Sequence, residues 1–589
     1  MRLSAPRIGN PDRRLRLALV AAMVVFTVFG ARLFQLQALD ADALAAKALA
    51  SRTRTIDMPA QRGDILDVTG AALATTVERR NITVDQTVVD QYNLRRTTLP
   101  ATQKGVAGVA LVLSPVLGLT QAQLVKRLTG KHPYAYVIKD VEPGIWAEVE
   151  RKAIPGIYSE RVSKRTYPNN KTAASMIGFL GKDGTPLSGI EKTRNDILQG
   201  TDGEYTYERG AKGQQIATGL TSETNAVPGN DIQLTIDRDL QFQAQDALAK
   251  QVKETGAKSG AAVIYDIKTG DVLALADAPT FDSNAPGKAS AADRENRALI
   301  DAFEPGSTSK VVTAAAAIEE GVAKPTTRLS VPWELDRGGQ TFHDSHEHPV
   351  ENLTLAGVLA QSSNIGTIKI GERMSNATLH SYLTKFGYGT RTGIGLPESP
   401  GILRDVKDYS NTTPYTLMFG QGVSVTALQA ASVFATIAND GVRTTPRVIK
   451  AIGGEDGQLH EQPAGPTTRV VSAKTAKQVR LMLESVVSED GTAVAAAIPG
   501  YRVAGKTGTA DYYDDQVGRY NGYTASFIGM APADKPRLVV AVILQQPVNG
   551  HYGGTVAAPV FKELMKKALA RESIAPSGTK APKVRLDWP

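Results

Sequence analysis

The sequence predicts an α+β protein on an N-terminal membrane anchor, and three observations carry that reading. An uncharged apolar run stands near the start of the chain. Alternating apolar strands stand at both ends of the C-terminal half, with helical stretches between them. The long segment separating anchor from strands carries few clear periodic elements. Strands from both ends of a module that enclose its helices argue one antiparallel sheet sandwiched by helices.

The anchor comes first. Leu17 to Ala31 is apolar apart from Thr27 and Gly30. Continued through Leu33, Phe34 and Leu36 it gives about 20 residues, roughly 30 Å as a helix, which spans a bilayer. Arg32 then snorkels to the far interface. Arg2, Arg7, Arg13, Arg14 and Arg16 precede the run against Asp12 alone. The positive-inside rule therefore predicts residues 1–16 as a cytoplasmic tail, 17–36 as the span, and everything later outside. No small-x-small site follows the run, so the helix is expected to stay uncleaved. Ala41 to Ser51 is Ala-rich and predicts a helix continuing the span outward.

Composition narrows the function classes. The net charge of +8 over 589 residues is concentrated in the anchor flank and otherwise spread, which is no nucleic-acid footprint. There is no cysteine, which excludes a disulfide framework, a Cys metal site and thiol redox chemistry. His343, His346 and His348 fall close together but lack helical ligand spacing, so they read as a polar loop. No metal and no cofactor are expected.

Residues 37–225 read as a module of their own, with a strand over Thr83–Val89 and small helices between Ala110 and Gly130. A second module spans 230–570. It opens with a strand at Ile232–Ile236, and Asp237 caps an amphipathic helix through Lys253. Ala261–Ile267 and Asp271–Ala276 are strands around the turn Lys268-Thr269-Gly270. Thr524–Ala531 and Leu538–Leu544 form another pair, and Val560–Ala570 a closing helix. The tail 571–589, rich in Pro, Lys and Arg, reads as disordered.

Three short words carry the chemistry: Ser307-Thr308-Ser309-Lys310, Ser362-Ser363-Asn364 and Lys506-Thr507-Gly508-Thr509. Pro305 and Gly306 bend the chain before an Ala-rich helical run from Lys310 to Glu320, so Ser307 and Lys310 sit one turn apart on one face. A serine hydroxyl is a poor nucleophile until a base takes its proton, and a buried lysine can be that base. The helix start supplies backbone N–H groups to a developing oxyanion. Ser362 lies in a turn between two helical runs, placed to relay protons, and Asn364 has an amide to hold a carbonyl and orient Lys310. The third word is strand-like. Its Gly508 lets a substrate backbone approach the strand edge, while Lys506, Thr507 and Thr509 suit a carboxylate. The backbone N–H groups of Ser307 and Thr509 are the expected oxyanion pair.

In this order and spacing the words form the pattern of penicillin-interacting serine acyltransferases. Further boxes extend the match. Arg62, Gly63, Ile65, Asp67 and Gly70 stand just beyond the anchor. Arg165-Thr166-Tyr167-Pro168 and Ser188-Gly189-Ile190-Glu191 follow, and Phe419-Gly420-Gln421-Gly422 lies in the C-terminal module. The chain resembles a class B penicillin-binding protein over residues 15–570. The resemblance implies the penicillin-binding transpeptidase fold on an elongated, dimerisation-type pedestal, with Arg62, Gly63, Asp67, Arg165 and Glu191 as structural residues there.

It further implies a D,D-transpeptidase that cross-links peptidoglycan stem peptides ending in D-Ala-D-Ala and is acylated by β-lactams. The catalytic set is Ser307, Lys310, Ser362, Asn364 and Lys506; Thr507, Gly508 and Thr509 bind substrate. The single anchor and compact pedestal look like the septal, cell-division type. Its expected partners are the membrane, a multi-spanning glycan-polymerising glycosyltransferase and other division proteins, with Arg32 and Gln35 as polar contacts. Elongation or sporulation types are the alternative. A β-lactam sensor fits less well because only residues 1–16 are expected inside, and a non-catalytic scaffold because all three words are intact.

Overall fold

The computed structural model describes residues 11–93, 98–210, 216, 218–514 and 517–589. Arg2, Arg7 and the first ten residues of the expected cytoplasmic tail lie outside the described residues. The chain divides into two compact units, Met1–Gln61 with Gly200–Pro228, and Arg62–Gln199 with Gly229–Pro589.

In the first unit an apolar helix covers Pro11–Phe34 and widens into a π-turn over Gln35–Leu39, with no residue buried. It is long and apolar enough to cross a membrane. The Ala-rich run does not simply continue it. Asp40 (φ −105°, ψ 2°) leaves helical geometry, and a separate helix covers Ala41–Arg52. Arg32 Nη1 donates to Gln35 Oε1 at 2.7 Å, so the two side chains expected to seek a partner bind each other one turn apart. Thr53–Met58 pairs antiparallel with Gly203–Glu208, which also pairs with Thr221–Thr224.

The second unit begins with a head. Strand β1 (Ala72–Val84) lies between β2 (Ala135–Val141) and β3 (Ile157–Thr166), all antiparallel. Helices Gly105–Leu117, Gln121–Leu128 and Pro143–Arg151 accompany the sheet, and Ile82, Val84, Val109, Leu113 and Leu124 form its own core. The strand expected over Thr83–Val89 stops at Val84. Asp85 Oδ1 accepts from Thr87 N at 2.9 Å and starts a helical turn instead, the local side-chain bonding that Asp offers against a strand.

Below the head, Glu191 is fully buried between two arginines. Arg62 Nε donates to its Oε2 at 2.6 Å and Arg165 Nε to its Oε1 at 2.7 Å. Arg62 also donates to the Glu191 carbonyl at 2.8 Å and to Asn195 Oδ1 at 2.7 Å. A buried carboxylate is tolerated only with such pairing. Gly63 is glycine because a Cβ there would lie 2.1 Å from the Asn230 carbonyl oxygen. Asp67 is buried and accepts from the amides of Thr69 (2.8 Å) and Ala71 (2.9 Å).

The C-terminal half holds a five-stranded antiparallel sheet. Its members in chain order are β4 (Ser259–Asp266), β5 (Val272–Ala278), β8 (Ala504–Asp514), β9 (Arg519–Ala531) and β10 (Leu538–Gln545), in the spatial order β5-β4-β10-β9-β8. The two short strands β6 (Arg328–Val331) and β7 (Glu351–Thr354) pair elsewhere. Every residue of β4 and β10 is buried, so both faces are covered. The helices that cover them include α1 (Arg238–Thr255), capped by Asp237 and ended at Gly256, and α5 (Ala427–Ala438) and α6 (Ala558–Arg571). Among them run α2 (Lys310–Glu319), α3 (Leu355–Gln361) and α4 (Asn364–Gly371).

The tail departs from expectation. Residues 572–589 are not disordered: Val584 and Leu586 pack on the main core, and Leu353 and Asp587 form an antiparallel bridge. Counting its prolines and charges hid the alternation Val584-Arg585-Leu586-Asp587-Trp588, which is a strand pattern.

Candidate active site

The first word is held by close backbone approach. Gly306–Ser309 form a 3₁₀ turn that leads into α2. Gly306 has φ +51°, and its amide donates to the Gly420 carbonyl at 2.9 Å. A Cβ on Gly420 would sit 2.2 Å from the Gly306 carbonyl oxygen. Gly420 therefore lets the Phe419-Gly420-Gln421-Gly422 loop brace the turn carrying Ser307. Lys310, at the start of α2, is fully buried.

The second word follows from α3 ending at Ser362, which takes the left-handed conformation at φ +66°. A non-glycine residue there is strained, and such strain concentrates at functional sites. The turn brings both polar atoms of Ser362 to lysines. Lys310 Nζ donates to the Ser362 carbonyl oxygen and approaches its Oγ at 3.4 Å. Lys506 Nζ donates to the same Oγ at 2.9 Å. Ser363 does not face the lysines. Its hydroxyl caps α4 by accepting from Gly366 N at 2.8 Å.

Lys506 lies on β8, the free edge of the sheet. Thr507 and Thr509 face the cleft, and their hydroxyls meet Thr492 Oγ1 (3.0 Å) and Gly553 N (3.2 Å). Gly508 also has a reason within the fold. A Cβ would come within 2.3 Å of Ser526 Oγ and 3.0 Å of Thr308 Cγ2. Its bareness serves the packing of the Ser307 turn on the strand.

Electrostatics set the site apart. Burial pushes the Lys310 ammonium down to about 7, partly opposed by the negative charge of Asp344. Burial, and then the charge of Lys310, hold Lys506 well below its ordinary value. Two buried cations sharing one serine disfavour each other's charge. Ser307, half-buried, joins Ser362, Asn364, Thr507 and Thr509 in the lining of one cleft of about 630 Å³.

One prediction fails in detail. The Asn364 amide does not orient Lys310; its Nδ2 donates to the His343 carbonyl at 3.1 Å. The residue that organises this wall is Asp344, which sequence reasoning passed over inside a histidine-rich loop. Its Oδ1 accepts from the amides of Asn364 and Ile365, the latter at 3.0 Å, and its Oδ2 from Ser363 Oγ at 2.6 Å. His348 Nε2 lies 3.3 Å from the same oxygen. The anchor for the second word is thus an aspartate on a separate hairpin, and no spacing rule joins the two.

Residues 260–566 match the penicillin binding protein transpeptidase domain, and 57–234 match the penicillin-binding protein dimerisation domain. The chain is a class B penicillin-binding protein. It is 36% identical over 582 residues to the penicillin-binding protein PbpB of Mycobacterium tuberculosis, covering 96% of this chain and 86% of the relative. It is 32% identical over 556 residues to the peptidoglycan D,D-transpeptidase FtsI of Escherichia coli, covering 92% and 89%. Among solved structures, penicillin binding protein 3 from Mycobacterium tuberculosis complexed with aztreonam superposes with TM-score 0.70. It has 33% identity and covers 91% of this chain and 100% of that one. Like other class B penicillin-binding proteins, the chain is a peptidoglycan D,D-transpeptidase on a dimerisation-type pedestal, with one N-terminal apolar helix that fits a single-pass membrane protein.

Proposed function

We propose that Ser307 is the nucleophile of a septal cross-linking enzyme and the residue that β-lactams acylate. The observation that carries this is Ser362 held between the buried Lys310 and Lys506 in the cleft that Ser307 lines. Neutral Lys310 accepts the Ser307 proton as its oxygen attacks the penultimate D-Ala carbonyl of a stem peptide. The N–H groups of Ser307 and Thr509 receive the oxyanion. Lys506, Thr507 and Thr509 hold the terminal carboxylate. The proton then passes through Ser362, with Lys506 beside it, to the leaving D-Ala amine. An amine from a neighbouring strand attacks the acyl-enzyme and restores Ser307. A β-lactam forms the same ester but keeps its leaving group tethered. Ser307→Ala is expected to abolish covalent labelling by fluorescent penicillin in the intact chain; retained labelling overturns the assignment.

The functional modules run 37–225 for the pedestal, with Arg62, Gly63, Asp67, Arg165 and Glu191 as its fasteners, and 230–570 for the transpeptidase. The N-terminus is cytoplasmic and the catalytic module outside. Likeness to FtsI and PbpB supports a division role. The partner is a multi-spanning glycosyltransferase contacted through the membrane helix and residues 40–70. Depletion in the host with a fluorescent fusion tests this. Filaments and septal fluorescence are expected; rounding with lateral fluorescence assigns the elongation type.

A further inference from the structure

The segment from Ile574 to Trp588 contacts the residues that lead into β8 at its start, and β6, β7 and the cap of α3 at its end. At its start, Tyr501 Oη donates to the Ile574 carbonyl at 2.7 Å, and Ser577 N donates to the Gly500 carbonyl at 2.9 Å. Arg502 N donates to Ser577 Oγ at 3.0 Å, and that hydroxyl donates to Asp534 Oδ1 at 2.6 Å. Tyr501 and Arg502 lead directly into β8, the strand of Lys506 and Thr509.

The other end of the segment meets β6, β7 and α3. Thr354 N donates to the Leu586 carbonyl at 2.9 Å, and Trp588 N to the Asn352 carbonyl at 3.1 Å. These bonds flank the isolated antiparallel bridge between Leu353 and Asp587 beside β7. Trp588 Nε1 donates to the Leu329 carbonyl at 3.3 Å, and Arg328 lies 5.4 Å over the ring. Thr354 is also the cap of α3. Its Oγ1 accepts from Gly357 N at 3.2 Å while donating to the Arg585 carbonyl at 2.7 Å. A Cβ on Gly357 would lie 2.0 Å from the Leu586 carbonyl oxygen. Helix α3 has only seven residues and ends at Ser362, so what holds its first turn also sets the position of Ser362.

We propose that residues 574–588 are a strap that fixes the spacing between the Lys506 strand and the Ser362 turn, with Leu586 and Trp588 as positioning residues for the acyl-transfer reaction. The strap makes no contact with the reacting atoms. It acts on them by pinning the helix that presents Ser362 to both lysines, and a shift of about 1 Å in such a group costs on the order of a hundredfold in rate. This rests on the catalytic reading above, which Ser307→Ala tests separately through loss of all labelling.

The test measures the penicillin acylation rate at saturating antibiotic, and its pH profile, on the full chain in detergent. Trp588→Ala is expected to slow acylation about tenfold and to raise the pH of half-maximal rate, because a loosened Ser362 wall admits water to Lys310. Trp588→Phe keeps the ring over Arg328 and stays near wild type. Gly357→Ala, which expels the Leu586 carbonyl, slows acylation in the full chain but changes nothing in a chain lacking residues 577–589, a non-additivity that marks a shared contact. Adding a peptide of residues 574–589 restores the rate of the shortened chain. Unchanged rate and pH profile in Trp588→Ala, or an equal effect of Gly357→Ala with and without the strap, overturns the proposal. Should the shortened chain not fold, the Trp588 variants and their pH profiles decide alone.

Discussion

Lys310 and Lys506, buried on different elements of the fold, converge on one residue. Lys310 donates to the carbonyl of Ser362, and Lys506 donates to its hydroxyl at 2.9 Å. One serine in a left-handed turn thereby joins the helix that follows Ser307 to the edge strand of the sheet. Because two charges at this spacing out of water repel strongly, deprotonation of one lysine is the relaxed state of the pair. That is the state a general base requires.

Acylation should rise with pH through about 7, where Lys310 gives up its proton. Below that pH the base is charged and the rate falls roughly tenfold per unit. Stopped-flow acylation by a chromogenic cephalosporin between pH 5 and 9 checks this. A rate that is flat across that range removes Lys310 from the role.

Lys310→Met should abolish labelling while raising the melting temperature. Folding lowers the Lys310 pKa from its ordinary 10.5 to about 7. The unfolded chain therefore binds more protons between these values, and stability climbs with pH across that window. Below about 7 the native state carries the full cost of a buried ammonium, which methionine avoids. A gain of roughly 1–4 kcal/mol at pH 6 is expected, shrinking towards pH 10, and calorimetry at the two pH values reads it.

Asp344→Asn should slow acylation and move the pH profile to the acid side. The carboxylate opposes the lowering of the Lys310 pKa, so its loss makes the lysine easier to deprotonate. The same change weakens the grip on Asn364 N, Ile365 N and Ser363 Oγ. A rate loss of about 10–100-fold follows from misplacement of the second word. An alkaline shift contradicts the electrostatic assignment.

Much of the site was legible because its chemistry needs residue types at short range. Ser307 with Lys310, and the Lys506-Thr507-Gly508-Thr509 run, are local. What escaped was non-local. Asp344 sits on a hairpin whose sequence carries no trace of the helix start it binds. The role of Gly508 depends on Thr308 and Ser526, which meet it only in the fold. The Asn364 amide, expected to orient Lys310, donates instead to the His343 carbonyl, which reaches it only in the fold. The sheet order was legible as a class, since apolar strands at both ends have few ways to pair. The strand-like tail was not, because prolines and lysines dominate its composition.

Arg62→Ala should destabilise the fold by about 3–5 kcal/mol by leaving the buried Glu191 half-paired. Penicillin acylation per folded molecule is expected to stay within about twofold. Urea melts beside labelling stoichiometry separate the two effects. An equal loss of both makes the pedestal pair part of the catalytic apparatus.

The sheet order β5-β4-β10-β9-β8 has a bearing on biogenesis. Residues 259–266 pair with 538–545, so β4, beside the central strand, lacks its second neighbour until almost the whole polypeptide has emerged. Such distant pairing folds slowly. Ser307 is synthesised long before Lys506 and remains an ordinary serine in the meantime. A chain caught partway through synthesis would, on the proposed assignment, neither react with antibiotic nor attack a stem peptide. On the proposed assignment the topology acts as a timer, keeping Ser307 silent until the last strands of the sheet are made.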